Sequence, residues 1–303
     1  MEIAIMIEGQ NELNWPRWQK LAAAVENLGF AGLFRSDHFT NGAPPDLDSL
    51  ELWTSLTWLA SHTKRIEFGS LVSPVSFRHP ALTARMAAAV DDLSGGRLTL
   101  GLGAGWQERE HHLFGFDLLP MKERFDRLED GLEVITRLLK SDRPATFEGK
   151  YFQLRGATLL PRPIRPGGPR ILIGGNGEKR TLSIVARYAD EWNAIFALPA
   201  EFARLNAVLD EVLKFHSRAP ESVKRSMMTG LRFGRTRQEL NEKLSARNQT
   251  AEELRKRGVI VGVGEEVVEQ LKGLQEAGLQ RVMLQWLDLD DLKSLEALAK
   301  AVL

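Results

Sequence analysis

Short apolar segments alternate with longer amphipathic segments along almost the whole chain, and this alternation limits the folds that the sequence can adopt. Eight apolar segments are predicted strands: Glu2–Ile7, Ala31–Arg35, Ile66–Val72, Leu98–Leu102, Arg170–Ile173, Glu191–Phe196, Met227–Phe233 and Arg281–Trp286. Each is followed by a segment with helical periodicity. Eight strand–helix units in succession are typical of a (β/α)8 barrel rather than of an open sheet. The sequence therefore predicts an α/β TIM barrel, with one domain over residues 1–303.

The segments between the strands predict the helices of this barrel: Trp15–Leu28, Ser49–Ser61, Pro80–Leu93, Met121–Leu139, Arg180–Tyr188, Ala200–His216, Glu265–Ala277 and Asp291–Val302. Two segments interrupt the regular alternation. Asp142–Pro169, after the fourth strand, is rich in Pro and Gly and contains Phe147–Phe152, which predicts a surface hairpin. Arg235–Gly258, after the seventh strand, is highly charged and predicts a helical insertion. Such loops often cover an active site.

The composition excludes several classes of protein. The chain carries 40 Lys plus Arg and 40 Asp plus Glu, and this balance argues against nucleic acid or an anionic membrane surface as the main partner. The absence of cysteine excludes disulfides, thiolate nucleophiles and iron–sulfur clusters. The first residues lack the basic region of a signal peptide, and no apolar run has the length of a membrane span. We therefore expect a cytoplasmic protein that acts on a small molecule.

In a TIM barrel the residues just after each strand carry the function. Ser36-Asp37-His38-Phe39 follows the second strand. A carboxylate beside an imidazole can move a proton near neutral pH, as hydride transfer between an alcohol and a carbonyl requires. A capped turn, with Asp37 bonded to backbone amides and His38 packed nearby, explains the same residues and is slightly preferred on spacing alone. The motif leaves both interpretations open.

The third and fourth strands lead into loops rich in small residues. The third strand runs into Ser70–Pro80, an extended loop that ends where a helix begins. The fourth gives Gly101-Leu102-Gly103-Ala104-Gly105-Trp106, whose glycines allow the backbone to approach a planar ligand closely. This G-x-G-x-G spacing is not the dinucleotide-binding fingerprint. The adjacent His111 and His112 lack the spacing of metal ligands on one helical face, so we predict no metal site and expect them at the surface or behind the site.

The fifth strand runs through Gly174-Gly175-Asn176-Gly177 into Glu178-Lys179-Arg180-Thr181 and a helix. Backbone amides at a helix N-terminus, glycines that allow close approach and two cations together suit a phosphate group. The spacing from glycine to lysine is not that of a Walker A loop. A glycine-rich turn with solvated charges is the alternative, and phosphate binding is the preferred interpretation.

Together these motifs resemble the luciferase-like monooxygenase superfamily, and within it the branch that uses coenzyme F420, a deazaflavin. The resemblance is carried by Ser36–Phe39, Ser70–Pro80, Asp92–Trp106 and Ile173–Gly177, in this order along essentially the whole chain. The run Asp92–Trp106 is highly specific for the superfamily, and Ser36–Phe39 is moderately specific for the deazaflavin branch.

The resemblance implies an oxidoreductase that passes a hydride between coenzyme F420 and a small organic substrate, either an alcohol/carbonyl pair or an activated double bond. An FMN-dependent monooxygenase is the alternative, because both rings and both phosphates fit the same barrel mouth. Asp37 and His38 would lie at the deazaflavin ring, with His38 as acid/base. A non-prolyl cis peptide bond between Ser70 and Leu71 would support the ring, and Ser73 would lie beside it. The remaining coenzyme contacts implied are Gly103, Ala104 and Gly105 in the cleft and Gly174, Gly175, Asn176, Gly177, Lys179, Arg180 and Thr181 at the phosphate.

The sequence departs from the sugar-phosphate dehydrogenases of this branch at two positions. Their glutamate on the fourth-strand loop aligns with Trp106, and the tryptophan four residues after their histidine aligns with Gly42. We therefore place Trp106 in the substrate pocket and leave the substrate and the direction of hydride transfer open.

Two helices suggest a homodimer interface. Ser49–Ser61 carries Trp53, Trp58 and Leu59, and Pro80–Leu93 carries Ala81, Ala84, Ala87 and Ala88. Small residues allow close approach of helices, and aromatic residues offer a large area to bury. The alternative is that the same residues face the barrel wall.

Overall fold

A computed structural model describes residues 1–303 and confirms the predicted TIM barrel. The eight barrel strands are Glu2–Ile7, Gly32–Arg35, Glu67–Ser70, Leu98–Gly103, Arg170–Gly174, Glu191–Ile195, Lys224–Phe233 and Arg281–Gln285. Consecutive strands pair in parallel, and the eighth pairs with the first, for example Leu284 opposite Ile5. This last pairing closes the barrel, so none of its eight strands is left as a free edge.

Helices surround the barrel at Trp15–Leu28, Leu52–His62, Pro80–Ser94, Glu108–Phe114, Met121–Lys140, Thr181–Tyr188, Pro199–Phe215, Arg237–Ala246, Ala251–Lys256, Gly264–Glu276 and Leu292–Val302. Local capping sets several of these boundaries. The first helix begins after Asn14, whose side chain accepts a hydrogen bond from the Arg17 amide, and it ends at Gly29 with a φ of 98°. The second begins at Leu52, later than predicted, because the Glu51 side chain caps it by accepting from the Thr54 amide.

Both predicted insertions are present. After the fourth strand, the strands Ala145–Glu148 and Gln153–Ala157 form an antiparallel hairpin. After the seventh, two helices lead into a short strand, Ile260–Gly262, which pairs with the end of the seventh strand. The sequence did not predict this strand or the helix Glu108–Phe114. No helix is both long and apolar enough to span a membrane.

A charge network around the buried Arg281 closes the amino-terminal end of the barrel. The Arg281 guanidinium, 1% exposed, bonds to Glu191 at 3.0 Å, to Glu2 at 2.6 Å and to Glu67. Further up, the barrel interior is filled by apolar side chains: Ala4, Met6, Phe34, Leu71, Leu172 and Met283. Because side chains fill this end, a ligand can enter only from the carboxyl ends of the strands.

The residues expected at a dimer interface are mostly buried within the chain. Trp53, Leu59, Ala84, Ala87 and Ala88 are at most 5% exposed, and they belong to the main hydrophobic core. These residues therefore face the barrel wall, as the alternative interpretation of the sequence expected, because both helices turn their apolar faces to it. Leu82 and Leu93 remain exposed on the third helix.

Candidate active site

A cavity of about 750 Å³ opens at the carboxyl ends of the barrel strands. It is large enough for a drug-sized ligand or a flat tricyclic ring. Its apolar lining includes Met6, Leu71, Val72, Pro74, Ala104, Trp106, Ile195, Phe196, Met228 and Leu287, and its polar lining includes Glu8, Gln10, Asn11, Ser36, His38, Asn41, Glu110, Asn193 and Gln285. The site therefore combines a broad apolar surface with a few polar groups.

His38 is held in place by a buried carboxylate. Its Nδ1 lies 2.8 Å from Glu110 Oε1, and the other oxygen of Glu110 accepts a hydrogen bond of 2.9 Å from the Phe39 amide. The side chain of Glu110 is 1% exposed. Burial opposes protonation of His38, but the hydrogen bond and charge of Glu110, together with the charges of Glu8 and Asp37, outweigh it and raise the pKa of the imidazole.

This contact fixes which imidazole nitrogen carries the proton in the neutral ring. An ionised carboxylate only accepts hydrogen bonds, so the bond to Glu110 requires the proton on Nδ1. His38 Nε2 has no protein hydrogen-bond partner, and the residue lines the cavity. In the neutral ring, Nε2 therefore carries a lone pair that can accept a proton from a bound molecule.

The structure places Asp37 away from the cavity. Asp37 Oδ2 accepts hydrogen bonds from Ser73 at 2.6 Å and from Arg78 at 2.5 Å, and Asp37 does not line the cavity. The Ser36 amide still donates a hydrogen bond to the first strand, so the chain remains extended just after the second strand. Because neighbouring residues of an extended chain point to opposite sides, Ser36 and His38 face the cavity and Asp37 faces away. Asp37 and Ser73, both expected to contact the coenzyme, thus form a hydrogen-bonded group with Arg78, and neither lines the cavity.

The non-prolyl cis peptide bond lies between Leu71 and Val72, so its prediction at Ser70–Leu71 was wrong by one residue. The Leu71 amide donates to the Arg35 carbonyl at 2.7 Å, so hydrogen bonding to the second strand continues up to the residue that precedes the cis bond. Ser70 is 1% exposed and exchanges hydrogen bonds with the backbone of Gly101, away from the cavity. Leu71 and Val72 line the cavity instead.

The glycines of the fourth strand make room for the protein's own third-strand segment. A Cβ at Gly101 would lie 2.0 Å from the Ser70 carbonyl oxygen, and one at Gly103 would lie 2.7 Å from the Val72 side chain. Gly103, Ala104 and Gly105 line the cavity, as does Gly174 at the end of the fifth strand. The fold therefore brings these predicted lining residues together. Their glycines leave the space in which Val72 packs against them.

The fifth-strand loop carries a row of free backbone amides. None of the amides of residues 176–180 donates a hydrogen bond within the protein. Gly175 has a φ of 125°, which favours glycine, and the Asn176 side chain bonds both the carbonyl and the amide of Ile195. The helix begins at Thr181, whose side chain is buried. Free amides at a helix N-terminus form an anion-binding arrangement.

The two cations of this loop differ in their surroundings. Arg180 bonds Asp126 at 2.9 Å and Glu129 at 2.5 Å, so its charge is already paired. Lys179 is exposed and forms no ion pair. Lys179 is thus the one cation of this loop whose charge is not paired within the protein.

The sequence predicted some residues of the site, predicted others only in part and missed one. Trp106 lines the cavity with its ring edge-on to His38 at 5.5 Å between centroids. His112 is exposed, whereas His111 is buried and contacts Ser76 at 2.8 Å, so only one of the two is at the surface. Glu110 was missed because only the fold brings the helix Glu108–Phe114 against the second-strand loop. In the sequence, the only signal for it was an acidic residue in the first helical turn after the fourth strand.

The structure contains no group of three or more residues that could hold a metal ion.

A closed parallel barrel with an acid/base side chain at its carboxyl-terminal mouth defines a TIM-barrel enzyme. The profile of the luciferase-like monooxygenase family matches residues 1–251. The chain belongs to this family, and several of its relatives are F420-dependent oxidoreductases.

Two relatives by sequence and one solved structure are similar to this chain. The 4-hydroxyprotoasukamycin monooxygenase of Streptomyces nodosus subsp. asukaensis is 27% identical over 321 residues, which cover 93% of this chain and 84% of that protein. The F420-dependent glucose-6-phosphate dehydrogenase of Nakamurella multipartita is 35% identical over 174 residues, 56% of this chain and 49% of that protein. A solved F420-dependent secondary alcohol dehydrogenase, in complex with an F420–acetone adduct, has a TM-score of 0.87 at 18% identity and covers 99% of this chain and 98% of that one. The chain thus spans about half the length of its glucose-6-phosphate dehydrogenase relative.

Proposed function

We propose that this enzyme transfers a hydride between coenzyme F420 and a small organic substrate, with His38 as the acid/base. The observation that carries the proposal is the His38–Glu110 contact of 2.8 Å, which leaves Nε2 without a protein partner beside a large cavity. Family relatives that are named as F420-dependent dehydrogenases support the coenzyme.

The residues at the barrel mouth fit a deazaflavin. Leu71, Val72 and Pro74 offer an apolar surface for a flat ring, and the free amides of residues 176–180 together with Lys179 suit its phosphate. When bound, a deazaflavin takes up or gives back a hydride at one ring carbon and does not activate oxygen productively. The protein supplies the position and the proton transfer.

His38 handles the proton of this reaction. In alcohol oxidation, Nε2 takes the hydroxyl proton while the hydride leaves the carbon that bears the hydroxyl, so the alcohol becomes a carbonyl. In carbonyl or double-bond reduction, the protonated ring gives the proton back. Glu110 stabilises the imidazolium that forms in either direction, because its charge lies 2.8 Å from Nδ1.

An FMN-dependent monooxygenase is the second candidate. It is favoured by the 4-hydroxyprotoasukamycin monooxygenase, which aligns over 93% of this chain. The same amides would bind the phosphate of FMN, and the same apolar surface would support its ring. The two candidates differ in coenzyme affinity and in oxygen consumption.

A side-by-side titration of the purified chain with oxidised F420 and with FMN tests the choice. We expect F420 to bind with a micromolar or lower Kd and FMN to bind more weakly, followed by the coenzyme fluorescence. Oxygen uptake with reduced FMN is the companion measurement. Tight FMN binding, no response to F420 and substrate-dependent oxygen uptake would together establish the monooxygenase instead.

Charge reversal at Lys179 is expected to weaken F420 binding roughly three- to tenfold, because an exposed cation beside an anion contributes at most about 1 kcal/mol and the reversal adds repulsion. The measurement is F420 affinity of Lys179→Glu at low and high salt. Lys64→Glu is the matched control, since Lys64 is an exposed lysine at the opposite end of the barrel. Equal affinities of the two variants would argue against a phosphate at the fifth-strand loop.

We also propose that the protein forms a homodimer. Because the apolar faces of the second and third helices are buried, the interface must be another surface. Exposed Leu82 and Leu93 lie on the outer side of the third helix. Light scattering is expected to give twice the chain mass of 34.0 kDa. A mass of 34.0 kDa at micromolar concentration would rule this out.

A further inference from the structure

One side of the cavity is built from hydrogen-bonded polar side chains around Glu8. Glu8 Oε1 accepts from the Gln285 amide at 2.7 Å, and Oε2 accepts from the Gln10 amide at 3.1 Å. Gln10 in turn accepts from the Ser36 hydroxyl at 2.8 Å. All four side chains line the cavity. The carboxylate of Glu8 is therefore fixed at the wall by two amides, from the first-strand loop and from the eighth strand.

Apart from its effect on the His38 imidazole, whose pKa its charge helps to raise, Glu8 meets no cation of the protein. It takes part in no ion pair, and the 22 residues that line the cavity include no lysine or arginine. The other lining carboxylate, Glu110, is already occupied by His38 and by the Phe39 amide. The cavity thus presents one carboxylate whose charge is open to a ligand, since amides satisfy hydrogen bonds without neutralising charge.

A second acceptor, deeper in the barrel, also favours a ligand that donates hydrogen bonds. Asn193 is 1% exposed and lines the cavity, and its Nδ2 donates to Ser226 at 2.9 Å. Its Oδ1 accepts no hydrogen bond from the protein. An amide oxygen that lines a cavity and has no donor favours a ligand that brings one.

We infer that Glu8 binds a protonated amine of the substrate, and that this cavity selects cationic small molecules over phosphates and carboxylates. This inference rests on the proposed function only in taking the substrate to lie in the same cavity as His38. An ammonium group has three donors and a positive charge, which suit the carboxylate of Glu8, whose charge is not neutralised, and the free acceptor of Asn193. A phosphate or carboxylate would meet the charge of Glu8 with no lysine or arginine of the cavity lining to offset it.

Three fragments with one carbon skeleton test this inference without any coenzyme: 1-amino-2-propanol, 1,2-propanediol and lactate. Their Kd values are measured by ligand-observed saturation-transfer NMR on the purified chain. We expect the amino alcohol to bind at least about tenfold more tightly than lactate, with the diol between them. Salt should weaken binding of the amino alcohol and leave that of the diol unchanged, because only the former depends on a charge pair.

Glu8→Gln is expected to remove the preference for the amino alcohol while keeping the affinity for the diol within about twofold. Glu12→Gln is the matched control: it removes one negative charge from the same loop, at an exposed residue paired with Arg17. The inference is overturned if lactate binds as tightly as the amino alcohol, if Glu8→Gln keeps the preference, or if none of the three fragments binds. If Glu8→Gln does not fold, the salt series on the unmodified chain decides whether amine binding depends on a charge pair. Because no coenzyme is present, failure here leaves the hydride-transfer proposal intact, and failure to bind F420 leaves this test unaffected.

Discussion

Replacing His38 with alanine is expected to lower turnover by about 10²–10⁴-fold, the range that general acid–base catalysis contributes. The variant removes the one unbonded imidazole nitrogen that faces the cavity. F420 affinity should change little, because neither the phosphate loop nor the apolar surface is altered. The measurement is the single-turnover rate of F420 reduction with an alcohol that the unmodified enzyme oxidises, beside the Kd for F420.

His112→Ala is the matched control for this variant. His112 is an exposed histidine on the helix that carries Glu110, and it does not line the main cavity. Its rate and thermal stability should stay close to those of the unmodified enzyme. A loss of thermal stability in His38→Ala as large in free energy as its loss of rate would indicate that His38 serves folding rather than proton transfer.

Glu110→Gln is expected to lower the rate by at least about 10²-fold even though the side chain keeps its size. The Phe39 amide donates to one carboxylate oxygen, so a glutamine must turn its carbonyl oxygen toward Phe39. Its NH₂ group then faces His38 Nδ1, which has to accept, and the ring proton moves to Nε2. The nitrogen beside the substrate would lose its lone pair, which alcohol oxidation needs.

The same variant should shift the pH dependence of both directions of the reaction. Glu110 helps to raise the pKa of His38, so loss of its charge lowers that pKa. Oxidation requires neutral His38 and therefore rises with pH through this pKa, whereas reduction requires the protonated ring and falls. Both transitions should move to lower pH in Glu110→Gln. NMR titration of His38 measures the pKa without any substrate, and an unchanged pKa would contradict this role of Glu110.

The sequence alone determined the barrel and the side of it that carries the site. Eight apolar runs, each followed by a helical segment, bury both faces of their strands in a parallel sheet covered by helices, and eight such units are typical of a closed barrel. This pattern is local, because period and length can be read within each segment. The family motifs likewise identified His38, Leu71, Gly103–Gly105 and Gly174, all of which line the cavity.

The tertiary structure decided which of the polar groups meet. Glu110 reaches His38 across 72 residues, and Glu8 meets Gln285 across 277. Asp37, next to His38 in the chain, instead pairs with Arg78, and Arg180 with Asp126 and Glu129. Periodicity specifies the face on which a residue lies, but the partner of a charge depends on which loops converge at the barrel mouth, and that is set by packing between segments distant in sequence.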